Sequence, residues 1–131
     1  MYKIIEGNYE DYIKWNGLKT EKNPIALEIK DRICRYYIIF QDNEYFSEVV
    51  VFEEKNLINL NITFGIKHYL VELINFFKEN KYHYITFSSD ENIYKDLDTI
   101  RKKCKCIEEY KENITMPNSE MFEITYIKVE L

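Results

Sequence analysis

The chain has 131 residues, is 46% hydrophobic and 16% aromatic, and carries a formal charge of −5 with 18 basic against 23 acidic side chains. That hydrophobic content excludes a disordered chain, and the length suits one domain with a proper core. The acidic balance argues against a general nucleic-acid binder, whose affinity rests on neutralising phosphates.

In chain order, Tyr2–Glu6 is expected as a short strand. A helix starts at Asn8 or Asp11, runs through Tyr12, Ile13 and Trp15, and ends at Gly17. Lys19–Asn23 reads as a loop closed by Pro24, and Ile25–Ile29 alternates as a strand does. Arg35–Phe40 is a buried strand that turns at Gln41–Glu44 and returns as Phe46–Glu53. Leu57–Ile62 is a further strand.

The helix that begins near Gly65 presents Ile66, Leu70, Leu73, Ile74 and Phe77 on one face. Tyr82–Phe87 follows as a strand, and Ser88-Ser89-Asp90 is read as the N-cap of a second helix carrying Ile93, Leu97, Ile100 and Cys104. Cys106–Tyr110 is a modest strand, Asn113–Ser119 a loop, and Met121–Leu131 a long last strand. The expected order is β-α-(β)-β-β-β-α-β-α-β-β, in which each of the two later helices connects consecutive strands as right-handed crossovers do.

Three cysteines give no disulfide framework, and Cys104-Lys105-Cys106 is too closely spaced for an ordinary zinc pair, so no metal site is expected. With no secretion signal and no run approaching a membrane span, a cytoplasmic location off the membrane is expected.

Candidate chemistry centres on Asn59-Leu60-Asn61-Ile62-Thr63-Phe64-Gly65-Ile66-Lys67-His68, where a strand passes through a glycine into a helix. Free amides at such a helix start can hold phosphate. A lone glycine is a weak motif, and a simple joint is the competing reading.

From Arg35 to Leu131 the order of elements resembles the GNAT acetyltransferase superfamily. Phe64-Gly65-Ile66-Lys67 with Leu70 stands where that family has a Gly-x-Gly turn, with Lys67 in place of the second small residue. Glu91-Asn92-Ile93-Tyr94 opens the second helix where the family has an Asn, and Phe122–Leu131 resembles its closing strand. The resemblance implies an α/β fold with a mixed central sheet of about six or seven strands and helices on both faces, as one domain over residues 1–131. It implies acetyl-CoA as cofactor, bound by Asn61, Ile62, Phe64, Gly65, Ile66, Lys67, His68 and Asn92. The pantetheine arm would run along Asn59–Ile62, in a splayed gap between that strand and Tyr84–Phe87.

In the same comparison Glu53 is the candidate base. The family's general-acid tyrosine falls near Thr99 or Ile100, and Tyr94, off that register, is the candidate for its role. The activity implied is N-acetylation of a small amine or a protein amine, by a chain whose motif is eroded. An alternative fits the size and charge: a non-catalytic acidic inhibitor, such as a toxin-immunity protein or a phage-encoded antagonist of a nucleic-acid enzyme. Partners open at this point are acetyl-CoA with an amine, a basic protein, or a second copy of the chain.

Overall fold

The structure is a computed structural model that describes residues 1–61, 63–89 and 96–131. Its strands are β1 (Tyr2–Gly7), β2 (Arg35–Gln41), β3 (Glu44–Glu54), β4 (Leu57–Asn61), β5 (Tyr84–Ser89), β6 (Lys105–Thr115) and β7 (Met121–Glu130). The helices are α1 (Tyr9–Asn16), α2 (Pro24–Lys30), α3 (Ile66–Glu79) and α4 (Leu97–Lys103).

One seven-stranded sheet runs in the order β1-β2-β3-β4-β5-β7-β6. Among the described residues β4–β5 is the one parallel pair, and the other neighbours are antiparallel. A parallel pair needs a crossover, and α3 provides it. α4 instead carries the chain to the edge strand β6, and β7 returns between β5 and β6. The two-residue β2–β3 turn sets Asp42 and Asn43 both at positive φ, the geometry that matches strand twist.

Alternation along β2 explains how the sheet is covered on both sides. Tyr36 and Ile38 face α1 and α2, where they pack with Tyr12, Ala26 and Ile29. Tyr37 and Ile39 face the other way, into the core built by Ile66, Tyr69, Leu70, Leu73 and Phe77 of α3. Buried on both faces, β2 therefore reads as a continuous apolar run. Asn16 ties α1 to β3 by donating from Nδ2 to Glu48 Oε2 at 3.0 Å.

Three expectations change. Ile25–Ile29 lies in a helix, because Asn23 caps α2 by accepting from the Ala26 amide at 2.7 Å and Pro24 sits in the first turn. Residues 113–115 extend β6 and are not loop, since an exposed edge strand has no apolar alternation to display. Ser88 and Ser89 close β5, and α4 follows Asp96; Asp90 and Ile93 lie outside the described residues. Among the described residues no helix is long and apolar enough to cross a membrane, and no His, Cys, Asp and Glu cluster could hold a metal ion. The three cysteines are free.

Replacing Asn23 by alanine should cost about 1 kcal/mol, the usual loss for an N-cap. Urea unfolding should show the midpoint falling at unchanged slope.

Candidate functional site

The turn between β4 and α3 is shaped from beneath by a bulge in β3. Ile39 pairs with Ser47 and Phe40 with Tyr45, so Phe46 is the extra residue of β3. The bulge sets the Phe46 ring in the α3-side core, with centroids 5.2 Å from Tyr2, 5.7 Å from Phe64, 5.9 Å from His68 and 6.1 Å from Tyr69. Gly65 has φ +71°, and a Cβ there would lie 2.7 and 2.8 Å from two Phe46 ring carbons. Glycine is thus required twice, by backbone conformation and by the ring below it.

Tyr69 locks the rest of the turn. Fully buried, its hydroxyl lies 2.9 Å from Thr63 Oγ1, donates weakly to the Phe64 carbonyl at 3.5 Å and is hydrogen-bonded to Ser47. Burial raises its pKa above the ordinary tyrosine value, and the Asp96 carboxylate adds to the rise.

Above this support the helix begins. The His68 amide donates to the Gly65 carbonyl at 2.9 Å, whereas the first-turn amides of Ile66 and Lys67 have no acceptor within the helix. No acidic side chain stands in this first turn. Lys67 and His68 are exposed, and Phe64 keeps 68% of its surface open, while Ile66 is buried. The result is a positive helix end, reinforced by a lysine, at the C-terminal end of the parallel β4–β5 pair.

The expected gap beside β4 is absent over the described residues. Asn59 pairs with Thr86, Leu60 with Phe87 and Asn61 with Ser88, and Ser88 Oγ donates to Asn61 Oδ1 at 2.5 Å. Any parting of the two strands starts beyond Asn61, because the cross-strand ladder and this side-chain bond hold them together up to that point. Ile62, Asn92 and Tyr94 lie outside the described residues.

Glu53 does not join the turn. It sits opposite Ile58, toward the other end of β4, with Oε1 2.6 Å from Arg35 Nε and Oε2 accepting from the Tyr82 hydroxyl. Both carboxylate oxygens are thus already engaged, away from the α3 turn. Burial and the bond to Glu53 push Tyr82 up to about 12.

Three solved structures set this arrangement in context. An acetyltransferase from Bacillus subtilis, in complex with CoA, superposes with a TM-score of 0.66 at 11% identity, covering 100% of this chain and 99% of that one. A GNAT family acetyltransferase from Elizabethkingia anophelis, with acetyl-CoA bound, gives 0.62 at 15% identity, covering 99% and 98%. An IAA acetyltransferase from Bacillus cereus gives 0.64 at 13% identity, covering all of both chains. The fold is that of the GNAT acetyltransferases. No protein-family model and no curated protein matches the sequence.

Gly65 and Lys67, both singled out in the sequence, stand together at this turn. The side chains that hold this turn in shape, Phe46, Ser47 and Tyr69, were missed in the sequence. Tyr69 could have been found, since it stands three residues after Ile66 on the same helix face. The bulge at Phe46 could not, because it depends on pairing with β2.

Gly65→Ala should destabilise by about 1–2 kcal/mol through the left-handed backbone alone, with the ring clash added. In a Phe46→Leu background the clash part should disappear; an equal cost in both backgrounds would dismiss the Phe46 contact. A second expectation concerns alkaline pH. Tyr82 is raised to about 12, and burial raises Cys34 to about 11, so both are held in their protonated forms by folding. Their contribution is complete below the unfolded-chain values, about 9 for the thiol and 10 for the phenol, and is lost as pH rises through the folded ones. Urea midpoints should hold level to about pH 9 and then fall toward pH 12, with a shallower fall for Tyr82→Phe.

Proposed function

We propose that the chain is an acyl-CoA-dependent N-acetyltransferase acting on a small amine or a protein amine, with acetyl-CoA anchored by its pyrophosphate at the start of α3. The observation that carries this reading is the first turn of α3. It opens at the C-terminal end of the parallel strand pair, holds Lys67 and no acid, and is braced on Phe46 and Tyr69. An anion gains there from the helix dipole, from backbone donors and from the lysine ammonium. Structures of the same fold with CoA and with acetyl-CoA bound support this choice of ligand.

Acetyl-CoA would supply an activated acetyl thioester. The amine nitrogen bonds to the carbonyl carbon as the C–S bond breaks, and the proton lost by nitrogen goes to the leaving thiolate. The chain's part is to bind and orient, which can supply much of a rate enhancement by itself. The pyrophosphate end fits the turn. The arm does not fit along Asn59–Asn61, whose ladder is occupied by β5, so it must enter beyond the Asn61–Ser88 pair. Glu53 is left out of the acid–base chemistry for the reasons of geometry given above, and Asn92 and Tyr94 stand as candidates from the sequence.

The net charge of −5 leaves a second reading to be tested: an acidic, non-catalytic protein that would occlude a basic partner.

Thermal melting in millimolar acetyl-CoA separates the two. The expected result is a clear rise in Tm, diminished in Lys67→Ala, and release of CoA thiol with at least one amine of a panel. No rise and no thiol release would remove the transferase reading and leave the occluding protein.

A further inference from the structure

A groove of about 800 Å³ opens between the first turn of α1 and the last turn of α2, at the end of the sheet remote from the α3 turn. Its floor is apolar and buried, made by Ile29, Cys34 and Tyr36. Its two helical walls have opposite charge. The α1 wall brings Glu10 and Asp11, and the α2 wall brings Lys30 and Arg32. Among the described residues no ion pair joins these walls, and Lys30 Nζ instead rests over the Tyr9 ring at 5.3 Å. At the rim Arg35 is held by Glu53 at 2.6 Å.

Arg32 is the telling residue. It ends α2 with φ +59°, and the Ile33 amide returns to the Glu28 carbonyl at 2.9 Å. That is the helix stop in which the left-handed position ordinarily belongs to glycine. An arginine carries a conformational cost there that a glycine would avoid, as Lys81 does in the same stop after α3 at φ +73°.

We propose that this groove binds a small zwitterion of amino-acid type, its carboxylate on Arg32 and Lys30 and its ammonium toward Glu10. A plain amine or a plain carboxylate would meet one favourable wall and one repulsive wall; a molecule bearing both charges meets two favourable ones. The volume lies within the range of small-molecule sites, and the lining presents charges of both signs. The site does not rest on the acyl-transfer reading, since groove and turn lie at opposite ends of the sheet.

The test is thermal melting with a panel of free amino acids and glycylglycine at millimolar concentration, with ethylamine and propionate as controls. The expected result is a saturable rise in Tm with at least one zwitterion and with neither control. Arg32→Gly makes the result decisive, because it relieves the strained backbone. That variant should melt at a higher temperature than the parent in the absence of ligand, yet lose the ligand-induced rise. The proposal is overturned if no zwitterion raises Tm, if propionate or ethylamine alone does so equally, or if the rise survives in Arg32→Gly. The acetyl-CoA response is measured separately, so either site can fail while the other stands.

Discussion

The architecture around the candidate site depends on one steric constraint: the ring of Phe46 and the backbone of Gly65 share a space too small for a Cβ. The β3 bulge turns that ring inward, Gly65 takes a left-handed conformation over it, and Tyr69 rises from the next helical turn to bond Thr63 and Ser47. The turn from Thr63 into α3 is thereby braced from below. Bracing of this sort lets a helix start hold one geometry without help from a ligand.

The two ends of β4 have different characters as a result. At its C-terminal end, Lys67 and the start of α3 make a positive, aromatic-flanked surface. Toward its start, Glu53, Arg35 and Tyr82 form a charge network with its bonds already made. Between them Leu57–Leu60 pair on both sides, with Val51 opposite Leu60 on one edge and Phe87 opposite it on the other. β4 therefore works as a spacer between two chemistries, with no free edge from Leu57 to Leu60.

Much of the fold was legible because burial writes a period into sequence. The α3 stripe from Ile66 to Phe77 and the double-faced run of β2 each follow from the faces they cover. Ile25-Ala26-Leu27-Glu28-Ile29 misled because its apolar positions satisfy both a strand and a short helix; the Asn23 cap and Pro24 decide, and both are local signals. Ser88 and Ser89, small and hydroxylated, look like capping residues in the sequence. Ser88 in fact spends its hydroxyl across the sheet on Asn61. At the site, Gly65 stood out in the sequence, while its reason did not. That reason lies in a ring nineteen positions earlier, aimed by pairing with another strand.

β6 follows a different logic from the rest of the sheet. All eleven of its residues are exposed, among the described residues it pairs with β7 alone, and a register shift between Cys106 and Glu108 interrupts that pairing near its start. Its charges and its irregularity are the usual defences of an open sheet edge against pairing with strangers. With so little apolar surface holding it, this strand can peel from β7 at a small fraction of the free energy needed to open β2. Amide protons should accordingly be traded with solvent along β6 long before the centre of the sheet gives up its own, so the molecule melts from one side inward.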